Sequence, residues 1–134
     1  MASQTFQNNN IYRDFDLSFG QNPLTNDVSK KTDVNSINQA LRTLLNTCYY
    51  ERPFRPDVGS RLRNLLFEPA DPVTVLDIKS GIEEVIINHE PRVNVRSIKV
   101  TDRSELNAYA ITIEYSINMS KETQEFKVTL KRLR

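Results

Sequence analysis

The apolar positions divide the chain into stretches with different periods. Between Val34 and Cys48 they recur at steps of three or four, as Val34, Ile37, Leu41, Leu44, Leu45 and Cys48, which predicts a helix with one buried stripe. Asp33 stands at its start, where a short carboxylate suits the free amides of the first turn. Pro53 and Pro56 predict its end near Tyr50. A short helix is expected over 60–67 with Leu62, Leu65 and Leu66 inward, closed by Pro69. Asp71-Pro72, an acidic cap before a proline in the first helical position, predicts a third helix that ends before Pro91. Val75, Ile78, Ile82, Val85 and Ile86 form its stripe, and Gly81 within it costs about 1 kcal/mol against alanine, for which a close helix contact is a reason.

From Val93 the period changes from that of a helix to the alternation of a strand. Val93 and Val95 alternate in one phase and Ile98 and Val100 in the other, which predicts a bulge near Arg96-Ser97. Tyr109, Ile111, Ile113, Tyr115, Ile117 and Met119 share one face of the next strand, with Ala110, Thr112, Glu114, Ser116 and Asn118 on a wetter one. Phe126, Val128 and Leu130 mark a third, with Lys127, Thr129 and Lys131 opposite. The fold class is therefore α+β: three helices followed by a small antiparallel sheet, a meander that at least one helix must cover. Three strands leave two edges, each a template for another chain unless it is solvated and guarded. The basic close of the chain, Lys121, Lys127, Lys131, Arg132 and Arg134 against Glu122 and Glu125, suits a solvated edge as well as a docking strand.

Ahead of the first helix the pattern is lost. Residues 1–10 are rich in Gln and Asn and read as a flexible terminus. Over 11–31, Ile11, Tyr12, Phe15, Leu17 and Phe19 sit among acids and turn formers that end in Gly20-Gln21-Asn22-Pro23, as in an extended arm laid over something. The expected organisation is an arm over 1–32 and one α+β domain over 33–134.

Composition narrows the function. Lys and Arg total 18 against 17 Asp and Glu, so no global field steers the chain to nucleic acid or an anionic membrane. No stretch approaches the roughly 20 apolar residues of a membrane helix, and no basic start precedes an apolar run. The lone Cys48 has no partner for an internal disulfide and is expected as a small buried core residue.

Chemistry is scarce. With one histidine, His89, and one cysteine, zinc and triad sites lack their parts, and no glycine-rich phosphate loop exists. No cofactor, metal, catalytic residue or small-molecule substrate is expected. Glu83 and Glu84 are helix neighbours that point in different directions, and Glu68 with Asp71 carries no positive signal for a hydrolase pair. Glu90-Pro91-Arg92 holds the most information: proline ends the helix and presents an acid and a base on a stiff corner, unless Arg92 serves only to stabilise the last carbonyls. Arg55, Arg61 and Arg63 with Phe54 form a second candidate surface, at a charge density unremarkable for an amphipathic short helix and so weak evidence of RNA or DNA binding.

The run Glu51-Arg52-Pro53-Phe54-Arg55-Pro56-Asp57-Val58-Gly59-Ser60-Arg61-Leu62-Arg63-Asn64-Leu65-Leu66-Phe67-Glu68-Pro69, followed by Glu90-Pro91-Arg92 and a strand, resembles the GPW-type baseplate wedge, or sheath-initiator, family of contractile-tailed phages, to which TssE of type VI secretion is related. Tyr12-Arg13-Asp14-Phe15-Asp16-Leu17-Ser18-Phe19 and Asn22-Pro23-Leu24-Thr25 also resemble the amino-terminal pattern of phage members, so the match spans about residues 11 to 134. Tyr50 departs from it, since many members carry glycine there.

The resemblance implies a fold like the carboxy-terminal domain of sheath proteins. It also implies a non-enzymatic subunit of the virion tail baseplate, six-fold in arrangement and assembled in the host cytoplasm. Its partners would be other baseplate wedge proteins and the tail sheath protein, with no nucleic acid and no membrane. Glu90, Pro91 and Arg92 would dock on the wedge core. The sheet of Tyr109, Ile111, Ile113, Tyr115, Ile117, Phe126, Val128 and Leu130 would be extended by sheath strands. The alternative is a tail-associated, lysozyme-like peptidoglycan hydrolase, a label some members have carried.

Overall fold

The computed structural model describes residues 12–118 and 122–132. It falls into two compact units that meet between Ile37 and Asn38. The expected flexibility of residues 1–10, Ile11, and the end of the second strand at Met119 lie outside the described residues.

Where an extended arm was expected, the chain folds back on itself. Strands β1 (Arg13–Phe15) and β2 (Lys30–Thr32) pair antiparallel, Asp14 opposite Lys31. Polar groups hold this hairpin: Asp16 N–H donates to Ser29 O at 2.9 Å, and Lys31 Nζ lies 3.3 Å from Asp16 Oδ1. The Asp16 carboxyl is held below the usual carboxylate range, mainly by the Ser18 backbone N–H. Its large apolar side chains, Phe15, Leu17, Phe19 and Leu24, are exposed. The sheet-last layout expected from sequence therefore omits a two-stranded sheet that precedes the helices.

Helix α1 (Asp33–Asn46) begins where expected, but the Asp33 carboxylate accepts the Tyr12 N–H at 3.2 Å, and Ser36 Oγ donates to Asp14 Oδ2. Ile37, Leu41, Leu44 and Leu45 are buried, as the stripe requires. The helix stops before Tyr50: Thr47 still bonds back to Thr43 O, through its N–H at 3.0 Å and Oγ1 at 2.7 Å, and Cys48 then leaves the ladder to bridge in parallel to Ser60. Cys48 thus leaves the helical stripe and is only partly buried, which corrects its expected place in the core. Helix α2 is a single turn, Leu62–Leu65, shorter than expected but with Leu62, Leu65 and Leu66 buried.

Helix α3 (Pro72–His89) is capped as predicted. The Asp71 carboxylate accepts the Thr74 N–H at 2.8 Å, which keeps its carboxyl below the ordinary range. Ile78, Ile82, Val85 and Ile86 are buried. A methyl group on Gly81 would lie 3.5 Å from Leu62 Cδ2, an ordinary contact, so α2 approaches this glycine without requiring it.

Strands β3 (Val93–Arg103), β4 (Ala108–Ile117) and β5 (Thr123–Lys131) form an antiparallel meander in that order. The β3–β4 register shifts between Val95 and Ser97, the predicted bulge, so Arg96 is the extra residue that lets both phases of β3 serve one face. Tyr109, Ile111, Ile113, Tyr115 and Ile117 are buried on β4, each contributing about 1.5–3 kcal/mol before chain entropy is counted. Tyr115 Oη donates to Asn38 Oδ1 at 2.7 Å, and burial pushes its phenol up to about 12.

Candidate functional site

The corner after α3 is locked from three sides. Glu90 N–H closes the helix on Ile86 O at 2.9 Å, and Pro91 then prevents continuation. Arg92 takes both oxygens of the Glu90 carboxylate, with Nε to Oε1 at 2.6 Å and Nη2 to Oε2 at 2.8 Å. This fork is the strong form of an arginine–carboxylate pair, and it is mostly dry, with the side chains 22% and 6% exposed for Arg92 and Glu90. Asn118 completes the clasp: its Nδ2 donates to Pro91 O at 2.7 Å and its N–H to Arg92 O at 3.1 Å. Nothing in the sequence pointed to Asn118, because its partners are 26 and 27 positions away. The expected residues are therefore together, but the acid and the base face each other, leaving Pro91 as the exposed member of the corner.

The sheet presents its second feature at its edges. The five apolar residues of β4 expected to receive strands, Tyr109, Ile111, Ile113, Tyr115 and Ile117, lie on the middle strand, paired on both sides and buried. An added strand must meet β3 or β5 instead. Phe126 and Leu130 are also buried and Val128 is half-buried, so β5 would offer main chain and not these side chains. Arg132 N–H donates to Asn107 O at 2.8 Å, which makes that pair directly opposed. By alternation Leu130, Val128, Phe126 and Gln124 bond to β4, while Thr123, Glu125, Lys127, Thr129 and Lys131 turn their N–H and C=O groups outward.

Arg132, part of the basic close that suits a solvated edge as well as a docking strand, is tucked in. Its Nη2 lies 2.6 Å from Asp102 Oδ1 and its guanidinium carbon 4.5 Å from the centre of the Tyr109 ring. It ties the end of β3 to the end of β5 across the middle strand.

The segment between α1 and α2 is a loop tied down by hydrogen bonds and packing. Ser60 N–H donates to Thr47 O at 2.8 Å, Ser60 Oγ to Leu45 O at 3.2 Å, and Val58 packs with Leu44 and Val85. Gly59, at φ 152, passes so close that a Cβ would sit 2.6 Å from the Cys48 carbonyl. Tyr50 keeps a left-handed φ of 65, a conformation that glycine adopts without strain, and Phe54 has the same sign. Arg55 pairs with Asp57 at 3.4 Å, so the arginine surface expected around Phe54 is partly neutralised.

Among the described residues no three His, Cys, Asp or Glu side chains gather as a metal site, and no helix is long and apolar enough to cross a membrane. Glu68, Asp71, Glu83 and Glu84 are exposed.

Residues 31–122 match the family described as baseplate wedge protein gp25. The chain is 28% identical over 109 residues to the baseplate wedge protein gp25 of Enterobacteria phage T4, covering 81% of this chain and 82% of that one. It is 32% identical over 82 residues to baseplate protein W of Escherichia phage P2, covering 61% and 70%. Among solved structures, a candidate tail lysozyme from Geobacter sulfurreducens superposes with a TM-score of 0.69 at 24% identity over 73% of this chain and 89% of that one. A chain of the anti-feeding prophage baseplate gives 0.63 at 21% identity over 92% and 87%. One from the postcontracted pyocin R2 baseplate gives 0.52 at 16% over 81% and 95%. With most of its length matched, from the second strand of the hairpin to the start of the last strand, the chain belongs to the baseplate wedge protein gp25 family.

Proposed function

We propose that this protein is a structural, non-enzymatic subunit of a contractile tail baseplate, held on the wedge core through the Glu90-Pro91-Arg92 corner and starting the sheath by offering a sheet edge to strands of the first sheath ring. It would reside in the virion tail, in a six-fold baseplate assembled in the host cytoplasm, with a fold akin to the carboxy-terminal domain of the sheath protein. One observation carries the reading: a three-stranded sheet whose outer strands each pair on one side only among the described residues, beside a locked corner that exposes a proline. The family assignment and the names of the T4 and P2 relatives support it. Because Glu90 faces Arg92, the wedge core would read the shape of Pro91, with the Glu90–Arg92 pair as its support.

A peptidoglycan hydrolase gains no specific support. Glu90, the buried acid among the described residues, gives both oxygens to Arg92, and the exposed acids lack the apolar setting that tunes a general acid.

The test is size-exclusion co-migration with the wedge core proteins of the same genome, comparing wild type with a Glu90→Ala, Arg92→Ala double variant whose fold is verified by circular dichroism. Loss of co-migration in the folded variant is expected. Wild type that fails to bind would remove the docking reading.

A further inference from the structure

A cleft of about 230 Å³ opens beside the free edge of β5. Leu45 from α1, Leu62 and Leu66 from α2 and its C-cap, and Leu130 from β5 give it an apolar floor. Arg63 and Lys131 line it as well, and no carboxylate among the described residues does. Neither cation has an ion-pair partner among the described residues, whereas Lys127 farther along the strand is paired with Glu125 at 3.1 Å.

The register gives this cleft a meaning. The outward main-chain groups of β5 belong to Thr123, Glu125, Lys127, Thr129 and Lys131, whose side chains are all exposed. A strand bonded to them would alternate between the two faces of the sheet. Its residues beside Gln124, Phe126, Val128 and Leu130 would point to the helix-covered face. The residue beside Leu130 would therefore stand over the cleft, and its chain neighbour beside Lys131 on the opposite face. An apolar side chain fits the first position and a carboxylate the second, with Arg63 at the cleft favouring the same sign of charge.

We infer that β5, not β3, is the edge that accepts a partner strand, and that the partner is an extended, acidic peptide segment with a leucine-sized residue seated against Leu45, Leu62, Leu66 and Leu130 and a carboxylate beside it facing Lys131 on the opposite face, a sign of charge that Arg63 at the cleft also favours. This rests on the strand-accepting reading above and adds to it the edge, the anchor and the charge. The β5 edge has both a recess for a side chain and, among the described residues, cations without an ion-pair partner beside it.

The experiment uses the full chain, labelled with nitrogen-15, and short synthetic peptides of alternating Thr and Val carrying a central Leu with Glu on either side, so that one carboxylate lies beside Lys131 in either strand direction. Amide shifts are expected along 123–131 and around the cleft. An Arg63→Glu, Lys131→Glu variant should bind about tenfold more weakly, as expected for the loss and reversal of exposed charge pairs, and recover with the peptide in which Glu is replaced by Lys. Thr129→Pro removes an outward N–H while sparing the bonds to β4, and should abolish the shifts. Shifts confined to β3, or affinity indifferent to the Glu-to-Lys exchange, would overturn the inference while leaving strand acceptance intact. Purified sheath protein added to the same variants separates the two levels: co-migration that survives Thr129→Pro rejects β5, and no co-migration even with wild type rejects the strand-accepting reading itself.

Discussion

The hairpin unit and the larger unit both contain antiparallel sheet, yet they are held together by different forces. In the hairpin, paired strands of three residues are supported by side-chain bonds such as Lys31 to Asp16 and, from the following helix, Ser36 to Asp14, while Phe15, Phe19 and Leu24 remain exposed. In the larger unit, strands of 9 to 11 residues bury a continuous apolar face that few polar groups interrupt, the Tyr115–Asn38 bond being one. A sheet organised by burial is sensitive wherever backbone or volume is constrained. One organised by polar bonds on a wet surface is not.

The largest test of that contrast is Gly59→Ala, which forces a Cβ to within 2.6 Å of the Cys48 carbonyl and should cost about 3 kcal/mol or more in chemical denaturation. Arg92→Ala comes next. It strands the Glu90 carboxylate in a dry corner and should cost about 3 kcal/mol, whereas the double variant lacking both should recover part of that loss in a double-mutant cycle. Tyr115 adds a pH dependence whose sign is fixed. Its folded phenol titrates at about 12 against an ordinary value of 10.0, so the folded state holds a proton that the unfolded state releases between those values. Stability is therefore complete below pH 10.0 and falls by up to about 1.4 kcal/mol per pH unit from there to about 12, and Tyr115→Phe should flatten that slope in denaturation measured across the window.

Smaller effects sharpen the contrast from the other side. Gly81→Ala meets only ordinary contacts and should stabilise the helix by roughly 0.5–1 kcal/mol, read as a higher midpoint of thermal unfolding. Leu24→Ser, at a position 91% exposed, should change global stability by less than about 0.5 kcal/mol. A cost above about 1 kcal/mol there would show that the hairpin's apolar residues are buried after all and would break the comparison.

The legibility of the fold follows the same divide. The third helix was readable from Asp71-Pro72 and the stripe of Ile78, Ile82, Val85 and Ile86, and the middle strand from strict alternation, because burial imposes a period on sequence. Even the bulge announced itself, as a change of phase between Val95 and Ile98. The hairpin left no such trace, since its bonds link Tyr12 to Asp33 and Asp14 to Ser36 across 21 and 22 positions and impose no period. The end of the first helix was placed too late because the constraint at Gly59 depends on Cys48, which only the folded loop brings beside it. At the corner, sequence supplied Glu90, Pro91 and Arg92 but not that the two charges face each other, and it gave no hint of Asn118. The sheet's apolar residues were readable as a set, whereas their division into one paired middle strand and two edges, which decides where another strand could join, required the register.

The bulge at Arg96 makes β3 a strand with two reading frames. Upstream of it odd-numbered residues face the core, and downstream even-numbered ones do, so Val93 and Ile98 lie on the same side although five positions separate them. Removing that one residue would merge the two frames into a single alternation with Val95 and Ile98 both on the core face, whereas removing Lys99 would turn the segment beyond it over, exposing Val100 and driving Thr101 inward. Length changes in this strand are thus far more consequential than substitutions of its exposed side chains. A one-residue deletion elsewhere before Ile98 would be tolerated only if the unpaired position could migrate to absorb it.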